Sequence, residues 1–262
     1  MTERKTHLDS TAVVILLTCC VFWAAQQILL KVTIDLMSPV LQVSVRFAGA
    51  TVLLWLWCAF RGIALFNKDG SLMMGLLAGV LFAVEFAFLY LGMKYTSASR
   101  LTLFVYTSPF WVASILPWLV PSERLNKMQK LGLILAYVAV ALALSDGLIH
   151  PSDQNNMWLG DVLAVLAGLG WGLTTVVIRA TVLGKAKPEK VLFYQLAVAT
   201  LLLPFISGLI GESWQFSWSG PLIISLLIQT VFGAFASYLA WMWMLAHYPA
   251  SKLSASVFLT PV

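Results

Sequence analysis

The sequence predicts an all-α integral membrane protein, a multi-span helical bundle of two inverted-topology five-helix repeats. Three observations carry this. Of the 262 residues 60% are apolar and only 10% charged, against about 45–50% and about 25% in soluble domains; so few charges could not cover such a core in water. Apolar runs long enough to cross a bilayer, about 18 residues or more, follow one another with short connectors between them. Residues of the first half also recur, in order, about 150 positions later.

Taken in order, the spans cover 11–31, 38–60, 71–93, 97–119, 128–145, 157–179, 189–210 and 219–246, and a ninth run starts at about 250. The first follows a polar stretch, exceeds signal-peptide length and has no small-residue cleavage site, so it is expected to stay in the mature chain. Turn residues mark the breaks: Met37-Ser38-Pro39, Asn67-Lys68-Asp69-Gly70, Pro121-Ser122-Glu123-Arg124, the polar segment 151–156, Gly184 to Pro188, and Gly211-Glu212-Ser213. The ninth run, from Ser251 to Val262, has about 12 residues, too few to cross some 30 Å of hydrocarbon. The expectation is ten helices, with the chain ending within the ninth.

Charge orients the bundle. With the N-terminus in the cytoplasm, Arg4, Lys5, Arg61, Lys68, Arg124, Lys127, Lys130, Arg179, Lys185, Lys187, Lys190 and Lys252 lie inside. Lys31, Lys94 and Arg100 lie outside, a ratio of twelve to three that the positive-inside rule favours. The net charge of +5 comes from these connectors, not from a basic stripe with interleaved aromatics, so no nucleic-acid partner is expected. Cys19, Cys20 and Cys58 fall within spans and read as small packing residues. His7, His150 and His247 occupy different connectors and share no metal site. With no paired carboxylates or Ser/Lys dyad in a span, neither an enzyme nor a cofactor is expected. Gly168-Leu169-Gly170-Trp171-Gly172 lacks the strand and the further glycine of a phosphate loop.

The repeat pairs Trp23 and Lys31 with Trp171 and Arg179, and Pro39, Ala48, Ala50, Thr51, Leu53 and Leu54 with Pro188, Ala197, Ala199, Thr200, Leu202 and Leu203. Ala98-Ser99-Arg100-Leu101 matches Ala250-Ser251-Lys252-Leu253, and Ser108-Pro109 matches Thr260-Pro261. The units are residues 11–145 and 157–262, the second lacking its last helix. A unit of five spans forces its second copy upside down. Inverted repeats characterise secondary transporters, whose substrate site lies near the midplane between the halves.

Several pieces resemble the drug/metabolite transporter superfamily, in particular proteins with two EamA-type repeats. They are Phe22-Trp23 to Lys31 with its copy Gly170-Trp171-Gly172 to Arg179, and Gly92 to Ser99 leading to Pro109, then Glu123-Arg124-Leu125. The copy of the last piece is Tyr248 to Lys252 leading to Pro261. The resemblance covers the whole chain. It implies ten helices, export or exchange of small metabolites, often amino acids, across the bacterial inner membrane, and a cavity lined by spans 1, 3, 4, 6, 8 and 9. Spans 5 and 10 would be peripheral. Ala24 and Ala25 depart from the glycine or small polar residues often found after the first-span Trp.

Charge within a span marks a functional candidate. Arg46 and Glu85 each lie about 8 residues, roughly 12 Å, from the outer end of their spans. An intramembrane Arg46–Glu85 pair is therefore expected, either structural or with Glu85 as a substrate-binding or proton-coupling acid. Trp23 and Trp171, equivalent in the repeat, are candidate cavity walls, with Trp241, Tyr238 and Phe258 below them in rank. Thr102, Tyr106 and Pro109 share one helix face, repeated by Ser254, Phe258 and Pro261; Pro109 and Pro261 read as hinges or as harmless kinks. Gln27, one turn after Trp23, and Thr174, one turn after Gly170, complete the expected cavity. Gly75-x-x-x-Gly79 and Ala164, Gly168, Gly172 read as close-packing stripes, as does Gly132, Ala136, Ala139, Ala143, which would also suit a homodimer contact. These features favour an alternating-access carrier of small metabolites. The alternative is a receptor, channel or scaffold, although no polar ring of a pore stands out.

Overall fold

The computed structural model describes residues 8–145 and 156–257. The elements are α1 (Ser10–Thr33), α2 (Pro39–Phe60), α3 (Leu72–Gly92), α4 (Ala98–Val105), α5 (Ser108–Leu119), α6 (Lys127–Ala143) and α7 (Met157–Ala180). After them come α8 (Pro188–Leu209), α9 (Gly220–Ile228), a π-helical stretch (Gln229–Ala236), α10 (Ser237–His247) and α11 (Ala250–Ser256). No strand occurs among the described residues. Seven stretches are long and apolar enough to cross a membrane, counting α4 with α5 and α9 through α10 as one each. The fifth expected span is the 17-residue α6.

Local signals start the helices where the sequence places them. Asp9 Oδ1 accepts from the Ala12 N–H at 2.9 Å, and Asn126 and Gln129 form a reciprocal capping box at the start of α6. Pro39 and Pro188 open α2 and α8, where a missing N–H costs nothing. The expected fourth span is interrupted at Tyr106–Thr107, just before Pro109 in the first turn of α5.

Polar contacts sort the helix ends into two sets. At one end the Tyr248 hydroxyl donates to Asp9, Arg179 pairs with Glu123, and Lys190 binds Asn67 and Asp69. At the other, Ser38 donates to the Ser213 carbonyl, Glu212 accepts from the Val40 and Leu41 N–H groups and pairs with Lys94, and Arg100 pairs with Asp161. Thus α1 and α7 run in opposite directions, as do α2 and α8.

Small residues set the spacing. A Cβ on Gly79 would stand 2.7 Å from Val198 and 2.8 Å from the Tyr194 carbonyl, so α3 and α8 touch backbone to side chain. Gly168 and Gly172 bring α7 equally close to Val105 and Trp111. The α6 stripe differs: Gly132 has nothing within 4 Å, and most of the helix is uncovered. Thr51 and Thr200, partners in the sequence repeat, meet through their hydroxyls at 3.0 Å where α2 crosses α8.

Candidate functional site

A cavity of about 110 Å³ occupies the middle of the bundle, bounded by α1, α3, α4, α7, α8 and α10. Its aromatic wall is built around Trp23. The Trp23 ring meets Trp171 edge-on at 6.2 Å, Trp241 at 5.6 Å and Tyr238 at 6.3 Å, while its Nε1 donates to the Ser237 hydroxyl at 2.9 Å. Ser237 in turn donates to the Gly233 carbonyl at 2.6 Å. This satisfies the indole N–H. Tyr106 closes the wall at 6.5 Å from Trp171.

The polar groups are few. Glu85 lines the cavity, is 5% exposed, and its Oε2 has no hydrogen-bond partner. Its backbone lies against Gly170 of α7, where any side chain would meet Glu85 Cβ at 3.1 Å. Gln26 and Gln195 also line the cavity; their amide oxygens lack partners, and that of Gln26 is turned into the room that Gly233 leaves in the π stretch. Buried polar atoms normally find partners. The unpartnered Glu85 oxygen beside the hollow therefore marks where a solute's donor or water would bind, and the rings suit an apolar or cationic group.

Of the residues singled out from sequence, Trp23, Glu85, Thr102, Tyr106, Trp171, Thr174, Tyr238 and Trp241 come together on this cavity. Pro109 is buried beside the α4–α5 break and is not part of the lining. Phe258 and Pro261 lie outside the described residues, as does the Gln27 side chain. Its neighbour Gln26 lines the cavity. Sequence reasoning also passed over Phe82, Phe86, Tyr90, Thr175 and Gln195 as lining groups. Gln195 had a signal, since the repeat aligns it with Arg46. The α8 contribution through Gln195 was not among the expected spans, and the described part of the ninth, α11, packs on α5 without reaching the lining.

The expected Arg46–Glu85 pair does not form. No salt bridge joins them; the Arg46 guanidinium lies over Phe47, Phe86 and Tyr90, with Cζ 4.7, 5.4 and 5.9 Å from the ring centroids. The two residues point in different directions. Glu85 faces α7, whereas its neighbour Phe86, about 100° round the helix, faces Arg46 of α2.

Known proteins agree with this architecture. A solved crystal structure, 14% identical, superposes with a TM-score of 0.80 over 97% of this chain and 85% of its own. An uncharacterized transporter of Archaeoglobus fulgidus is 25% identical over 99% of this chain and 86% of its own length. A protein of Salmonella typhimurium named "Probable amino-acid metabolite efflux pump" is 23% identical over 92% of this chain and 80% of its own. The model of the EamA-like transporter family matches residues 10–145 and again 158–262. With nearly every described residue inside one of those two matches, the chain belongs to the EamA-like transporter family.

Proposed function

We propose that this chain is a secondary carrier that moves small metabolites, amino acids or related compounds among them, by alternating access, as an exporter or exchanger. The carrying observation is the cavity between two halves whose matched residues touch: Trp23 meets Trp171, and Thr51 meets Thr200. A residue in contact with its own counterpart lies beside the axis relating two copies, so the hollow sits where inverted repeats would rock. In this reading residues 11–145 and 157–262 are the two units. The solute packs on the tryptophans, and Glu85 takes its amine. The name of the Salmonella relative supports amino acids as the class to try first. The cation-rich ends at Arg61, Lys68, Arg124, Lys127, Lys130, Lys185 and Lys187 support a cytoplasmic N-terminus in a bacterial inner membrane.

The test is counterflow. Proteoliposomes holding the protein are loaded with one unlabelled amino acid at a time, and entry of the labelled compound is followed. A saturable overshoot for at least one amino acid is the expected result. Flux that grows linearly with concentration means a channel, and no flux for any amino acid or its amine removes this reading.

A further inference from the structure

Arg46 has no place in the scheme so far. It is wholly buried, at 0% exposure, about two turns into α2, and Nε, Nη1 and Nη2 all lack a hydrogen-bond partner. Other cations packed into the fold are answered by oxygen: Lys190 by Asn67 and Asp69, Arg179 by Glu123, Arg100 by Asp161. A guanidinium does not shed its proton in a protein. The charge therefore persists, and burying it with no hydrogen-bond partner is costly. Phe47, Phe86 and Tyr90 offset part of that cost through their π faces. They leave five N–H donors unanswered.

We propose that Arg46, behind the Phe86 and Tyr90 side of the cavity, is an anion-binding point, and that its partner is a small monovalent anion supplied from outside the chain. Phe86 and Tyr90, which hold the guanidinium, also line the cavity, so it lies directly behind a wall the solute touches. One guanidinium in apolar surroundings balances one negative charge and disfavours a polyanion. Glu85 does not supply it, because its side of α3 faces α7. The second half offers no duplicate, since the repeat places uncharged Gln195 at the matching position. Two sources share this chemistry: the carboxylate of a carried solute, which rests on the carrier reading above, and a free halide, which does not.

The experiment uses the whole chain in lipid nanodiscs with sodium gluconate as the background salt. Sodium chloride, sodium acetate and glycine are titrated in at constant ionic strength, and thermal unfolding and tryptophan fluorescence are recorded. Saturable stabilisation by acetate and glycine identifies a carboxylate site; saturation by chloride alone identifies a free-ion site. Either response should weaken about tenfold or more in Arg46→Gln, the factor one charge-assisted hydrogen bond is worth, and persist in Arg46→Lys. Arg46→Gln installs the residue already present at position 195, and Arg46→Lys keeps the charge, so a folding defect in one leaves the other to read. No response of the wild-type chain to chloride, acetate or glycine overturns the proposal, as does an undiminished response in Arg46→Gln. Loss of counterflow with the anion response intact would count against the carrier reading alone.

Discussion

Replacing Glu123 by Gln should loosen one end of the bundle severely. Glu123 ends the short turn after α5, with its side chain 1% exposed. It accepts from the Ala250 and Ser251 N–H groups at 3.3 and 3.1 Å and from Arg179 Nε at 2.6 Å, tying α5, α7 and α11 together. Glutamine fills the same space but removes the charge and sets an NH2 against donors. Arg179 has no alternative acceptor at hand: its side chain is 7% exposed, and its Nη1 is already unpartnered. Breaking a buried pair from one side costs about 3–5 kcal/mol, mostly the uncompensated charge left behind. The measurement is the unfolding free energy of the purified chain in mixed micelles, for Glu123→Gln, Arg179→Met and the double variant. The double variant should be more stable than the sum of the single losses predicts, by about 0.5–3 kcal/mol of coupling. A Glu123→Gln protein within about 0.5 kcal/mol of the parent would refute the reasoning.

Glu85→Gln should leave membrane insertion intact and weaken half-saturation for an amine-bearing solute roughly tenfold, since a neutral acceptor is worth about 1–2 kcal/mol less than a charged one; uptake kinetics unchanged at several pH values would remove the role of this acid. Gly79→Ala should cost about 1–3 kcal/mol, because the new methyl meets the Tyr194 carbonyl and Val198, which cannot both retreat. Gly132→Ala, in open space on α6, should be neutral or stabilising by up to about 1 kcal/mol, and equal effects at the two glycines would contradict the packing described. The Lys190 ammonium, followed by Ser71, holds the Asp69 carboxyl well below the usual value of 3.8. A depressed folded-state value means that the Asp69–Lys190 contact contributes fully above that ordinary value and is lost as pH falls beneath it. The stability gap between wild type and Asp69→Asn should accordingly be constant near neutrality and close in acid; a gap that widens in acid would reverse the sign.

Particular residues show where the sequence was informative and where it was silent. The alternation of apolar runs with turn residues such as Pro39 and Pro188 located the helices, because the bilayer fixes a length and proline fits the first turn. The recurrence of Trp23 as Trp171 pointed to the cavity, where both residues lie, but that Trp23 meets Trp171 and Thr51 meets Thr200 is known only from the structure.

What the sequence by itself determined, then, was the position of each group along its helix; what only the tertiary structure decided was its direction around that helix. Lipid is as apolar as a packed interior, so a spanning helix shows little contrast between its two faces, and periodicity that would reveal the buried side of a soluble helix is faint here. Rotation was set instead by contacts distant in sequence, Gly79 against Val198 and Gly170 against Glu85. Those contacts turned Gln26 and Gln195 into the cavity, drew Glu85 away from Arg46, and left a guanidinium facing three rings.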